Sequence, residues 1–200
     1  MKQKIAYFLL LSALLSCTSL ARFINGEKRM KLETPKTVFA FALENNVGID
    51  FDKNLFLKQR KKNEVLAQFR TYNDLENVSF PDVYFFTPDG QFIEDANEVC
   101  YNQKIVNETF DYYDDFFNSS NLLISPTKRI TDLENELVNH LGEVTFPFNT
   151  SKKNSYTAIV LWSKYKGKMW ANETNFIIKQ LQHSSIDFDI YFLNMDEVQF

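Results

Sequence analysis

Tyr156-Thr-Ala-Ile-Val-Leu-Trp162, then Lys168–His183, then Asp187-Phe-Asp-Ile-Tyr-Phe-Leu193, is the most regular stretch of the chain. The first and last segments are short, apolar and rich in β-branched and aromatic residues, the composition of strands buried on both faces. The middle segment has apolar residues at helical spacing. Two strands joined by one helix of this length predict a β-α-β unit, because a parallel pair needs a crossover connection. This unit directs the reading towards an α/β domain.

Working outward, Val78–Ile93 contains two apolar runs on either side of Pro88-Asp89-Gly90, which predicts a hairpin. Thr37–Asn46 reads as a short helix ended by Asn46 and Gly48. Asp52 is placed to cap a longer helix over about 53–71, with Leu55, Phe56, Val65, Leu66 and Phe69 on one side and Lys58, Arg60, Lys61 and Lys62 on the other. That basic run reads as a solvated face rather than a lipid contact. Residues 104–118 alternate apolar and acidic residues at helical spacing. Thr127–Leu141 reads as a further helix ended by Gly142.

The N-terminus is of another kind. Lys2 and Lys4 precede an apolar run, Ile5–Leu15, interrupted only by Ser12, and Leu14-Leu15-Ser16-Cys17 follows. A basic start and an apolar run of this length are the pattern of an export signal, too short for the roughly 20 apolar residues of a membrane span. The Leu-Leu-Ser-Cys tail resembles the lipobox of bacterial lipoproteins. The resemblance implies cleavage before Cys17 and attachment of lipid to it. It implies three parts: a signal peptide (1–16), a lipidated tether (17–36) and one α/β domain (37–200). It also implies a bacterial cell-envelope location. By analogy with lipoprotein sorting, the lack of acidic residues directly after Cys17 fits the outer membrane.

Composition narrows the function. Loss of the leader leaves about 180 residues, enough for one domain with a substantial core. A hydrophobic content of 44% with 20 phenylalanines argues against disorder. The net charge of −4 becomes −6 once Lys2 and Lys4 are removed, so the basic footprint needed to hold a phosphate backbone is missing and nucleic acid is not expected as a partner. Only Cys17 and Cys100 are present. If Cys17 carries lipid, no disulfide can form within the chain. With two histidines, His140 and His183, and no Cys/His cluster, no metal is expected. No cofactor motif is present either. Asp111, Asp114 and Asp115 lack the glycine and spacing of a calcium loop and read as a charged helix face. Lys164, Lys166 and Lys168 would suit an anion beside a helix N-terminus, but read better as solvated turn lysines.

The β-α-β unit resembles the opening of a thioredoxin domain. There, a strand leads into Trp-Cys-Gly-Pro-Cys, a helix, and a strand ending in a Val-Asn-Val-Asp-Glu-like stretch. Here the matching segments are Ala158–Trp162, Tyr165-Lys166-Gly167-Lys168-Met169, and Leu193-Asn194-Met195-Asp196-Glu197. Phe80-Pro81 before Val83–Gly90 resembles the family's cis-proline and following hairpin. The order of the halves is reversed, which implies circular permutation: a thioredoxin-like three-layer sheet with helices, the alternative being an unrelated α+β sandwich. Lys166 and Met169 stand at the two cysteine positions, Gly167 and Lys168 lie between them, and Pro81 takes the cis-proline position. Thiol exchange requires a poised thiolate and a resolving thiol, and neither is present in this turn, so no catalytic residue is assigned. The expectation is a noncatalytic interaction module, held to membrane lipid through Cys17 and open to an envelope protein partner. The alternative is a thioredoxin-related accessory protein or enzyme that uses Cys100.

Overall fold

A computed structural model of the chain describes residues 31–58, 82–94, 112–119, 122–144, 148 and 154–200. Cys17, Pro81 and Cys100 lie outside them, as do most of the expected 53–71 helix and residues 104–111.

The β-α-β unit forms as its sequence predicts. Strand β6 (Tyr156–Trp162) leads through a 3-10 turn (Lys164–Lys166) into a long helix, α4 (Gly167–His183), and back through β7 (Phe188–Asn194). β6 and β7 are parallel, with Tyr156 opposite Phe188 and Trp162 opposite Asn194. The hairpin is also present: β2 (Asp82–Phe86) and β3 (Gln91–Ile93) pair antiparallel across the Pro88-Asp89-Gly90 turn. Gly90 supplies the positive φ of that turn, 83°. β2 lies antiparallel to β6, Asp82 opposite Leu161 and Phe86 opposite Thr157.

Helix α1 spans Pro35–Glu44. Thr34 and Thr37 form a capping box at its start, Pro35 occupies the first turn, and Asn45 ends it. Residues 31–36, assigned to the tether from sequence, therefore belong in part to the folded domain: Glu33 forms a parallel bridge with Val198.

In their described parts, two expected helices give way to strands. The helix expected from Lys53 is instead a 3-10 turn (Phe51–Lys53), capped by Asp50 rather than Asp52, followed by β1 (Asn54–Leu57). Leu55 and Phe56 face opposite sides of the sheet and both are buried, which a strand between two layers allows and an amphipathic helix does not. The helix expected over 127–141 resolves into β4 (Ile124–Arg129), one turn of helix α3 (Thr131–Glu134) and β5 (Leu137–Val138). Of the acidic stretch 104–118, Tyr112–Phe117 forms helix α2.

The seven strands make one mixed sheet in the order β4-β3-β2-β6-β7-β1-β5, with β6 at its centre. Alternation along the strands sorts the core into two layers. Val83, Phe85, Ala158, Val160 and Phe192 face Val38 and Ala42 of α1, Tyr113 and Phe117 of α2, and Ile177, Ile178 and Leu181 of α4. Tyr84, Phe86, Ile159, Leu161 and Leu193 face the other way, towards Ile130, Leu133 and Phe148. Much of the aromatic content is spent in the first layer, where Phe85, Tyr113, Phe117, Tyr156 and Phe188 stack at centroid distances of 4.8–6.2 Å. The fold is thus of the mixed α/β class.

Candidate functional site

Polar side chains converge where the carboxyl ends of β6 and β7 meet the turn into α4. Parallel strands expose their last carbonyls and the next helix's first N–H groups at this edge, the usual place for ligands in α/β sheets. Ser163 leaves β6 and caps the 3-10 turn, its Oγ accepting from Tyr165 N–H at 3.2 Å. The same hydroxyl donates to Asp196 Oδ1 at 2.5 Å. Asp196 Oδ2 accepts from Lys164 N–H at 2.8 Å and from Asn194 Nδ2 at 3.0 Å. Asn194 and Asp196 are 0% and 2% exposed, so the carboxylate is enclosed and taken up by donors. One layer deeper, Trp162 Nε1 donates to Asn54 Oδ1 at 2.8 Å, tying β6 to β1.

A second cluster covers the outer side of the turn. Glu33 Oε2 accepts from Lys164 Nζ at 2.6 Å and from Thr37 Oγ1 at 2.5 Å. Tyr165 Oη accepts from Lys31 N–H at 2.5 Å, and its single hydrogen is shared between Lys31 O (2.5 Å) and Glu33 Oε1 (2.7 Å). Burial works against ionisation of Glu33, but the hydrogen bonds from Lys164, Thr37 and Tyr165, with the Lys164 charge, outweigh it and hold its carboxyl down to about 2. For Tyr165, burial and then the Glu33 carboxylate push the phenol well above its ordinary value. Residues 31–33 are thereby latched onto the β6–α4 turn. The backbone bonds Glu33 N to Glu197 O and Gln199 N to Glu33 O, each 2.8 Å, complete the attachment.

The sequence-assigned turn positions lie at this edge but are not all drawn into it. Gly167 adopts φ 78° at the start of α4. Lys166 Nζ sits 5.6 Å from the centroid of the Trp170 ring. Lys168 is exposed, and Met169 lies in the first turn of α4. The lysine trio does not act as a unit. Lys164 is not a solvated turn lysine, because its Nζ is paired with Glu33 at 2.6 Å.

No known protein family, characterised protein or solved structure matches this chain.

The remaining candidates have other tasks. Asp114 accepts hydrogen bonds from the Ser184 hydroxyl and, at 2.9 Å, from Ser185 N–H, so it ties α2 to the end of α4 rather than serving as a merely charged face. The Ser184 bond leads in lowering its pKa. His183 Nδ1 lies 2.7 Å from Lys179 O at the end of α4, and the His140 ring lies 6.2 Å from that of Phe39. Among the described residues, no group of three or more His, Cys, Asp or Glu side chains could hold a metal ion, and no helix is long and apolar enough to cross a membrane.

Glu33, Ser163 and the role of Asp196 are not evident from the sequence. Glu33 lies 131 residues from Lys164 in sequence, and no local pattern marks it. Asn194 and Asp196 did carry a signal, as polar residues directly behind a buried strand. Chemically, Ser163, Lys164, Tyr165, Asn194, Asp196 and Glu33 bond to one another, while the buried Asn54 Nδ2 and Trp170 Nε1 beside them have no hydrogen-bond partner among the described residues. Among the described residues, the bonds of Ser163, Lys164 and Tyr165 to Asp196 and Glu33 fix the shape of the turn.

Proposed function

We propose that the protein is an exported lipoprotein, anchored through Cys17 at the bacterial envelope, most simply at the outer membrane. Its folded part is a noncatalytic interaction module on a permuted thioredoxin-like scaffold without redox cysteines, open to an envelope protein partner. The observation that carries this reading is the β6–α4 turn. By the resemblance it corresponds to the turn in which a thioredoxin-type enzyme holds its two thiols, but it carries Lys166 and Met169 at those positions, and Ser163, Asp196, Lys164 and Glu33 beside it are bonded to one another. Supporting the scaffold, β6 is central, parallel to β7 and antiparallel to β2, as the resemblance implies. Asp82, the neighbour of Pro81, pairs with Leu161 near the end of the strand that feeds the turn. The leader and its Leu-Leu-Ser-Cys tail support the anchor.

Fractionation tests the anchor. The protein should sediment with membranes and take up labelled fatty acid, and Cys17→Ser should abolish both. Equal sedimentation of the variant, with no label in either chain, would contradict the proposal.

A further inference from the structure

The latch fixes the place where the N-terminal segment joins the domain, and large apolar side chains stand exposed beside it. Glu33 is bonded to residues 197 and 199, and the next residue along the chain is Phe200, 49% exposed. Phe200 packs over Gly142, where an added Cβ would lie 2.9 Å from its own Cβ. Leu141, next to Gly142, is 63% exposed. The neighbouring His140 ring lies 6.2 Å from that of Phe39, and one helical turn further along α1 comes Leu43, 65% exposed. Phe39 and Phe200 both contact Phe56, at 6.0 and 5.6 Å. Leu43, Leu141 and Phe200 thus share one aromatic platform at the β5 edge of the sheet, rigidly connected to the latch.

We propose that this patch rests on the phospholipid surface to which the chain is anchored, with Leu43, Leu141 and Phe200 in the bilayer interface. The proposal rests on the lipoprotein reading. In that reading thirteen residues lie between Cys17 and Lys31, and a chain of that length can span at most about 45 Å. The latch therefore keeps the patch within reach of the bilayer at a high effective concentration. Lys31 and Lys36 flank the latch, where Glu33 is already paired with Lys164, while Glu44, Glu143 and Glu197 border the patch, so its apolar side chains rather than charge would carry the contact. Exposed leucine and phenylalanine side chains gain from leaving water at that depth. The opposite edge, with Leu123 and Ile124 beside and on β4, lies six strand spacings away, about 29 Å, and serves as a control surface.

The test uses the full chain with Cys100→Ser, carrying a nitroxide on one new cysteine at a time: Leu43→Cys, Leu141→Cys, and the controls Leu123→Cys and His183→Cys. Each is recovered from membranes, analysed for lipid on Cys17, and reconstituted in phosphatidylethanolamine–phosphatidylglycerol vesicles. A matching set with Cys17→Ser is added to the same vesicles from solution. Labels at 43 and 141 should lose collisions with a water-soluble nickel chelate and gain collisions with oxygen, while the controls stay aqueous. With lipid on Cys17 but all four labels equally aqueous, this proposal falls and the anchor stands. With no lipid on Cys17 but interfacial labels at 43 and 141 in the added chain, the patch stands and the anchor falls. Aqueous labels without lipid overturn both. Spin–spin broadening between labels at 141 on different molecules, with no lipid contact, would assign the patch to a second copy and likewise overturn the proposal.

Discussion

Replacing Glu33 by glutamine tests whether the latch stabilises the domain. The substitution keeps size and shape but removes the charge that pairs with Lys164 Nζ at 2.6 Å and weakens the bonds from Tyr165 and Thr37. The fall of the Glu33 carboxyl from 4.5 to about 2 is worth roughly 3 kcal/mol at full value, since one pKa unit corresponds to about 1.4 kcal/mol. Lys164 and Glu33 are only 16% and 11% exposed at their side chains, but water still reaches the pair, and screening leaves about 1–2 kcal/mol. For a domain of this size that lowers Tm by about 2–8 °C. The pH dependence has a definite sign. A depressed carboxyl contributes its full stability above the unfolded value near 4.5 and loses it as pH falls towards about 2. Urea denaturation at pH 7 should therefore separate wild type from Glu33→Gln, and the two curves should converge between about pH 4.5 and 2. Equal stability at pH 7, or a gap that stays constant into acid, would refute the reasoning.

Two further outcomes are expected. Gly90→Ala should destabilise by about 1–3 kcal/mol, because the position has φ 83° and the new Cβ would meet Ile130 Cγ2 at 2.9 Å. Gly48→Ala, whose nearest neighbour would be Asn175 Oδ1 at 3.6 Å, should stay within about 0.5 kcal/mol in the same denaturation assay. The purified protein should not catalyse insulin reduction by dithiothreitol, since positions 166 and 169 carry no thiol. Turnover comparable to a thioredoxin, lost in Cys100→Ser, would show that Cys100 is used.

What could be read from sequence followed from how local each determinant is. β6, α4 and β7 are long enough to show their period. The Pro88-Asp89-Gly90 turn has one sequence-encoded geometry, so the centre of the sheet was legible. β1 was not, because Asn54-Leu55-Phe56-Leu57 is a four-residue apolar run that suits either a strand or a helix start. Its strand state is set by β7 and β5 on either side. Between Thr127 and Leu141, good helix formers such as Leu133, Glu134 and Glu136 favour helix locally. Pairing of Arg129 with Gln91 and of Leu137 with Leu57 favours strands at both ends, and tertiary pairing prevails. Of the site, the sequence offered only a hint at a strand end, the polar Asn194 and Asp196 directly behind a buried run, and no role for them. Glu33 is defined by contacts across more than 130 residues, beyond the reach of any local pattern.

The central claim, an exported and lipid-anchored protein, is tested most directly by mass spectrometry of the N-terminal peptide from membrane-extracted protein. The mature chain should begin at Cys17, with a diacylglyceryl thioether on its sulfur. A chain that retains Met1, or one cleaved elsewhere with an unmodified Cys17, would contradict it.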